Sequence, residues 1–160
     1  MKLFSRKYKL SNNGFIDLDR TALHEMLAYR QKAKNNLEAG GVLLGRFIMD
    51  SKNIVVDEVT KPFSSDIRER RRFKRGLEHQ KVIDKKWRSS DGKTNYLGEW
   101  HTHPENHPEP SRQDIREWKK ILKNDVFSSR YLYFVIVGVK DLKIWEGDRR
   151  TLKIKELTYE

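Results

Sequence analysis

The apolar positions along the chain fall into short runs of two periods, and the change from one period to the other marks out the elements. Phe15, Ile16 and Leu18 suggest a short extended piece. Asp19 is then suited to cap a helix in which Leu23, Met26, Leu27 and Ala33 share one stripe, ended by Asn35 and Asn36. Val42 to Ile48, behind the pair Gly40 and Gly41, reads as a buried strand whose partner is Asn53 to Thr60 across an Asp50-Ser51-Lys52 turn. Leu77 to Trp87 suits a helix with His79, Ile83 and Trp87 on one face at steps of four. Asn95 to His103 reads as a strand, and Ile115, Trp118, Ile121 and Leu122 follow at helical spacing. Tyr131 to Val139 is apolar without alternation, as a strand covered on both faces would be. Leu142 to Trp145 and Leu152 to Leu157 complete the pattern as strands, and Leu3, Phe4 and Tyr8 can pack as an edge segment. The sum is an α/β chain, a mixed sheet with helices packed on it, expected as a single domain over residues 1–160.

One polar stretch interrupts this pattern. Thr60 to Gly76 holds Pro62, Ser64, Ser65 and Asp66 and then Arg68, Arg70, Arg71, Arg72, Lys74 and Arg75, dense enough for a basic patch. It predicts a long excursion with one strand around Arg72 to Arg75, serving either partner recognition or no more than a solvated basic loop. The net charge of +11, from 34 Lys and Arg against 23 Asp and Glu, suits nucleic acid, an acidic protein or a nucleotide-bearing partner. Most of it reads as ordinary solvated surface, and Phe73 alone interleaves the arginines, so nucleic acid is a minor expectation.

The chain has no cysteine, which removes cysteine-protease and cysteine-zinc chemistry. No apolar run approaches the roughly 20 residues that span a bilayer. Met1 to Lys7 begins basic without the apolar core of a secretion signal. The cytoplasm, with no membrane contact, is therefore the expected location.

The candidate chemistry lies in Gly98-Glu99-Trp100-His101-Thr102-His103-Pro104 and the following Pro110-Ser111-Arg112-Gln113-Asp114. Histidines one residue apart on a strand project from the same face, so their imidazoles converge. Asp114 lies one helical turn before Trp118 on the inward side, where a carboxylate is costly unless a cation meets it. Two His and one Asp are three ligands, and a fourth position left to water is the pattern of a catalytic zinc site. Ser111 also suits the start of a helix, since Ser-x-x-Asp is close to a capping box. His24 reads as a surface residue, His79 as a packed core histidine, and His107 as a loop residue rather than a fourth ligand.

His-x-His-Pro followed by Ser-x-x-Asp, with Asp114 eleven positions after His103, resembles the signature of the JAMM (MPN-plus) zinc metallopeptidases. Gly98-Glu99-Trp100-His101-Thr102-His103-Pro104-Glu105 and Trp118 narrow the likeness to a compact bacterial branch found with CBASS antiphage operons. The resemblance implies a three-layer, cytidine-deaminase-like α/β fold, and Zn²⁺ on His101, His103 and Asp114. It further implies a general base at Glu38, just before the Gly40-Gly41 strand, and a Ser111 hydroxyl that helps stabilise the oxyanion. It implies an isopeptidase or peptidase acting after the C-terminal tail of a ubiquitin-like protein conjugate. In the bacterial branch that means releasing a CD-NTase, a cyclic-nucleotide synthase, joined to targets by an E1/E2-like partner. Rival readings are a peptidase trimming a sulfur-carrier or other ubiquitin-like protein, a non-catalytic MPN scaffold, and a basic nucleic-acid module. Oligomeric state is not readable from the sequence.

Overall fold

The structure is a computed structural model describing residues 5–125 and 129–160. The edge packing expected of Leu3 and Phe4 lies outside the described residues. The first part of the chain forms β1 (Arg6–Lys9), β2 (Phe15–Leu18), α1 (Arg20–Leu27), β3 (Gly40–Phe47) and β4 (Ile54–Val59). The middle forms β5 (Ile67–Glu69), β6 (Arg72–Lys74), α2 (Glu78–Ser89), β7 (Asn95–Thr102) and α3 (Arg112–Asn124). The last part forms β8 (Tyr131–Val137), β9 (Leu142–Asp148), β10 (Ile154–Glu156) and β11 (Thr158–Tyr159). Among the described residues no helix is long and apolar enough to cross a membrane.

Nine strands make one mixed sheet in the order β10-β9-β8-β7-β3-β4-β2-β1-β11, while β5 and β6 pair apart as a hairpin. The pairs β2–β4 and β7–β8 are parallel; the other ladders are antiparallel. β10 and β11 occupy opposite edges although only Leu157 separates them, so the sheet curls until its two edges nearly meet. Leu157 is buried and donates its N–H to Ile144 O at 2.9 Å. Of the strand expected from Leu152 to Leu157 only Ile154–Glu156 forms; it ends where Leu157 turns inward, and Thr158–Tyr159 follows as a separate strand beyond the expected range. Ser11 Oγ reaches across the same seam to the buried Glu146 carboxylate at 2.6 Å.

Three layers result. Asp19 caps α1 through hydrogen bonds from Thr21 N and Ala22 N, and Ala22, Leu23, Met26 and Leu27 fill the concave face of the sheet. On the convex face Trp118 and Leu122 of α3 pack on Leu132, Phe134, Ile136 and Trp145, while Ile83 of α2 packs on Val42 and Leu44. The central apolar run divides cleanly: Tyr133, Val135 and Val137 face α1, and Leu132, Phe134 and Ile136 face α3. It is the doubly covered strand that its composition predicts.

Three further expectations need correction. α1 ends at Leu27 rather than at Asn35 and Asn36, and Ala33 is exposed. The chain leaves the helix because Gln31 turns inward to hydrogen-bond distant groups, so long-range satisfaction of a buried amide overrides the stripe. Between Thr60 and Gly76 there are two strands, β5 and β6, where one was expected. On α2, His79 and Ile83 are buried but Trp87 is exposed near the C-terminal end of the helix.

The strand that carries the histidines is re-phased on its way to them. Leu43 pairs with Gly98 but Leu44 with Tyr96, a bulge that gives β7 one extra residue. Gly98 there has φ of 148°, and a Cβ would lie 1.7 Å from Tyr133 O, so only glycine fits. After the bulge Trp100 faces α1, while His101 faces α3.

Candidate metal centre

Three segments bring the site together. β7 supplies His101; His103 follows directly, its N–H donating to Val137 O at 3.0 Å. The N-terminus of α3 supplies Asp114, and the segment entering β3 supplies Glu38. The Nε2 atoms of His101 and His103 are 3.1 Å apart. Asp114 Oδ1 lies 3.3 Å from His101 Nε2, and its Oδ2 lies 3.1 Å from His103 Nε2. Glu38 completes the ring, with one carboxylate oxygen and both imidazole nitrogens all within 4.8 Å of one another.

These distances are those of a ligand set. An ion held at bonds of about 2.0 Å in tetrahedral geometry places its ligand atoms about 3.3 Å apart. The two imidazole nitrogens meet that spacing, and Asp114 comes as close with one oxygen to each of them, Oδ1 to His101 and Oδ2 to His103. Glu38 is also a possible fourth donor, but Asp114 makes the closer contacts with the histidines. The residues present therefore fit a small divalent cation.

The groups of the site also shift one another electrostatically. Burial pushes the Asp114 carboxyl up, but the two imidazoles outweigh it and hold the group well below the usual carboxylate range. Burial pushes His103 down, yet the Asp114 and Glu105 carboxylates hold it up at about 9. Glu38 is 4% exposed, and burial raises it to about 8, against the pull of His103 and Arg71.

Ser111 is the N-cap of α3. Its Oγ accepts from Asp114 N at 3.0 Å, and its own N–H donates to Asp114 Oδ2 at 2.8 Å, a full capping box with aspartate at the third position. The cap fixes the carboxylate that faces the histidines. Ser111 is itself exposed on the rim of a groove of about 600 Å³ running from the four residues between β6 and α3. Phe73, Trp118 and Ile121 give it apolar walls.

Residues 20–152 match the family of prokaryotic homologs of the JAB domain. The chain belongs to that family. Among its relatives, a Vibrio cholerae protein named CD-NTase/cGAS isopeptidase is 35% identical over 130 residues, 81% of this chain and 80% of that protein. An Escherichia coli protein of the same name is 35% identical over 131 residues, 81% and 79% of the two chains. The solution structure of protein DSY2949 from Desulfitobacterium hafniense shares the fold, with a TM-score of 0.60 and 24% identity over 87% of each chain. The three-layer JAB architecture expected from the motifs is thus the one observed.

Other histidines behave as their surroundings dictate. His79 is fully buried, between Thr60 Oγ1 at 2.7 Å and Asp66 Oδ2 at 2.8 Å. His107 is exposed beside Asp141, and His24 is exposed on α1.

The six-residue basic patch is smaller than expected. Arg68 donates to Glu38 O at 2.8 Å, Arg70 to Lys34 O at 2.6 Å, and Arg75 pairs with Glu99 at 2.8 Å. Only Arg71, Arg72 and Lys74 are exposed along the groove.

Two supporting features escaped the sequence reading. Glu105 Oε1 lies 2.7 Å from His103 Nδ1, which fixes the proton there and turns the Nε2 lone pair toward the centre. A carboxylate two residues after the second histidine was the available signal. Thr102, between the histidines, donates to buried Gln31 at 2.8 Å, and no local pattern marks that pair.

Proposed function

We propose that the chain is a single JAMM/MPN-like domain that acts in the cytoplasm as a zinc-dependent isopeptidase. It hydrolyses the bond after the C-terminal tail of a ubiquitin-like conjugated protein. The substrate is a CD-NTase joined to its targets by an E1/E2-like partner in bacterial antiphage defence, a reading supported by the names of the Vibrio cholerae and Escherichia coli relatives. One observation carries it: two imidazole nitrogens 3.1 Å apart, each 3.1 to 3.3 Å from an oxygen of Asp114, with a buried Glu38 oxygen within 4.8 Å of both.

His101, His103 and Asp114 hold Zn²⁺ in this reading. When bound, the ion supplies Lewis acidity and brings the pKa of a coordinated water down to about 7. Glu38 takes the proton of the water that attacks the carbonyl carbon and delivers it to the departing lysine Nζ or peptide nitrogen. Its carboxylate is buried and has one oxygen within 4.8 Å of both imidazole nitrogens, which puts it in reach of a water held between them. The Ser111 hydroxyl, on the groove rim, donates to the carbonyl oxygen as it becomes an oxyanion. The apolar walls exclude water from an extended tail, which can also pair main chain to main chain along β6.

The test incubates purified protein with a CD-NTase fused through its C-terminal residue to a target lysine, with and without chelator, and determines product masses. The expected result is release of the intact tail and an unmodified lysine, abolished by chelator and restored by Zn²⁺. E38A should keep its metal and lose turnover. Cleavage that survives chelation, or near-normal rates in E38A, would overturn the assignment.

A further inference from the structure

The basic hairpin is held down by buried and backbone groups, in a way that leaves one arginine over. Glu38 N donates to Glu69 O at 2.7 Å, and Arg68 Nε donates back to Glu38 O, so β5 is laced to the segment carrying the base. The Arg70 side chain grips the Lys34 carbonyl. From the interior, Gln31 Nε2 donates to Arg70 O at 2.8 Å and to Asn36 O at 3.2 Å. Gln31 Oε1 accepts from the Thr102 hydroxyl, which itself accepts from Ala39 N at 2.9 Å. Gln31 is 3% exposed and Thr102 is fully buried, so breaking this relay leaves polar atoms unpaired in the interior. The turn at Arg70 and Arg71 is thereby pinned to Thr102, the residue between the two imidazoles.

Arg71 is the next residue in that turn. It is exposed, lines the groove, and makes no hydrogen bond or ion pair among the described residues. Its charge is felt at Glu38 and Glu105, and Glu105 is already engaged by His103 and Glu109 N. Arg72 and Lys74 continue the same wall, whereas Glu109 and Glu117 line the groove elsewhere. A guanidinium on a fixed turn keeps its fork of donors for a carboxylate without first having to order the backbone beneath it.

We propose that Arg71 is a specificity-determining residue that receives a carboxylate of the conjugate, a Glu or Asp side chain close to the scissile bond. The proposal rests on the isopeptidase reading and adds to it the chemistry that selects the substrate. The carboxylate belongs either to the tail or to the target around the modified lysine, and the test separates these sources.

Tail peptides are joined through their C-terminal carboxyl to the Nζ of a lysine in a target peptide. One position at a time carries Glu, Gln or Lys, on the tail in one arm and on the target in the other. The zinc-loaded full chain should favour Glu over Gln at one position, in one arm, by about tenfold or more in kcat/KM, chiefly through KM. R71A should erase that difference, and R71E should transfer the preference to Lys. Equal rates for Glu and Gln at every position, or an R71A that slows all members alike, would overturn the role of Arg71 and leave the isopeptidase reading standing. No turnover of any member would overturn the isopeptidase reading, and the subsite with it.

Discussion

Ser111 and Asp114 cap each other, N–H to carboxylate at 2.8 Å and N–H to hydroxyl at 3.0 Å, so one helix start both ends a loop and aims a carboxylate at two histidines. The same serine is asked to steady a helix and to stabilise an oxyanion, and the two duties can be separated. S111A should lose about 1 kcal/mol of stability, the usual cost of a cap, while kcat falls about 100-fold or more. S111N restores a cap acceptor but not the hydroxyl donor. Denaturant titration should find its stability recovered, and steady-state kinetics should find its turnover still low. Full activity in S111N would reduce Ser111 to a structural role.

Glu105 orients His103 from behind, and its removal should weaken metal binding without touching the ligands themselves. E105A is expected to bind zinc about 10- to 100-fold less tightly, measured by competition with a chromophoric chelator. E105Q should sit between E105A and the native chain, because an amide oxygen still accepts from Nδ1. Unchanged affinity in E105A would mean that the ring is held by packing alone.

How much of this was open to reading before the fold was known depended on how local the cause was. His101 and His103 obey the strand period over two residues, and Tyr131 to Val137 carries its double burial in its own composition. The Ser111 cap is likewise settled within four residues. The misses have distant causes. β5 and β6 are short and charged, and are tied down by Gln31 and by the backbone of Glu38, which no window around Arg72 contains. α1 stops early for the same reason. Leu157 ends β10 and starts β11 only because the curled sheet puts Ile144 on one side of it and β1 on the other. The arginine run looked like a patch because the sequence does not reveal that Arg68, Arg70 and Arg75 spend their donors inside the molecule.

Glu99, two residues before His101, gives the fold a pH dependence with a definite sign. Burial pushes its carboxyl up to about 7, although Arg75 and Tyr96 pull the other way. A carboxyl raised above its unfolded value of about 4.3 contributes stability that is full below that value and is lost as pH rises through the folded one. Metal-free protein should therefore unfold more easily at pH 8 than at pH 5. E99Q should reduce that slope, and part should remain because Glu38, raised to about 8, acts in the same direction. Chemical denaturation of both chains across this range checks it; identical slopes would contradict the burial argument.

His101, His103 and Asp114 should meet around one point. Crystals of zinc-loaded protein, measured on both sides of the zinc absorption edge, should show one anomalous peak about 2.0 to 2.1 Å from His101 Nε2, His103 Nε2 and an Asp114 oxygen, with Glu38 farther off. No peak between the imidazoles, or a peak ligated by Glu38 with Asp114 turned away, would contradict it.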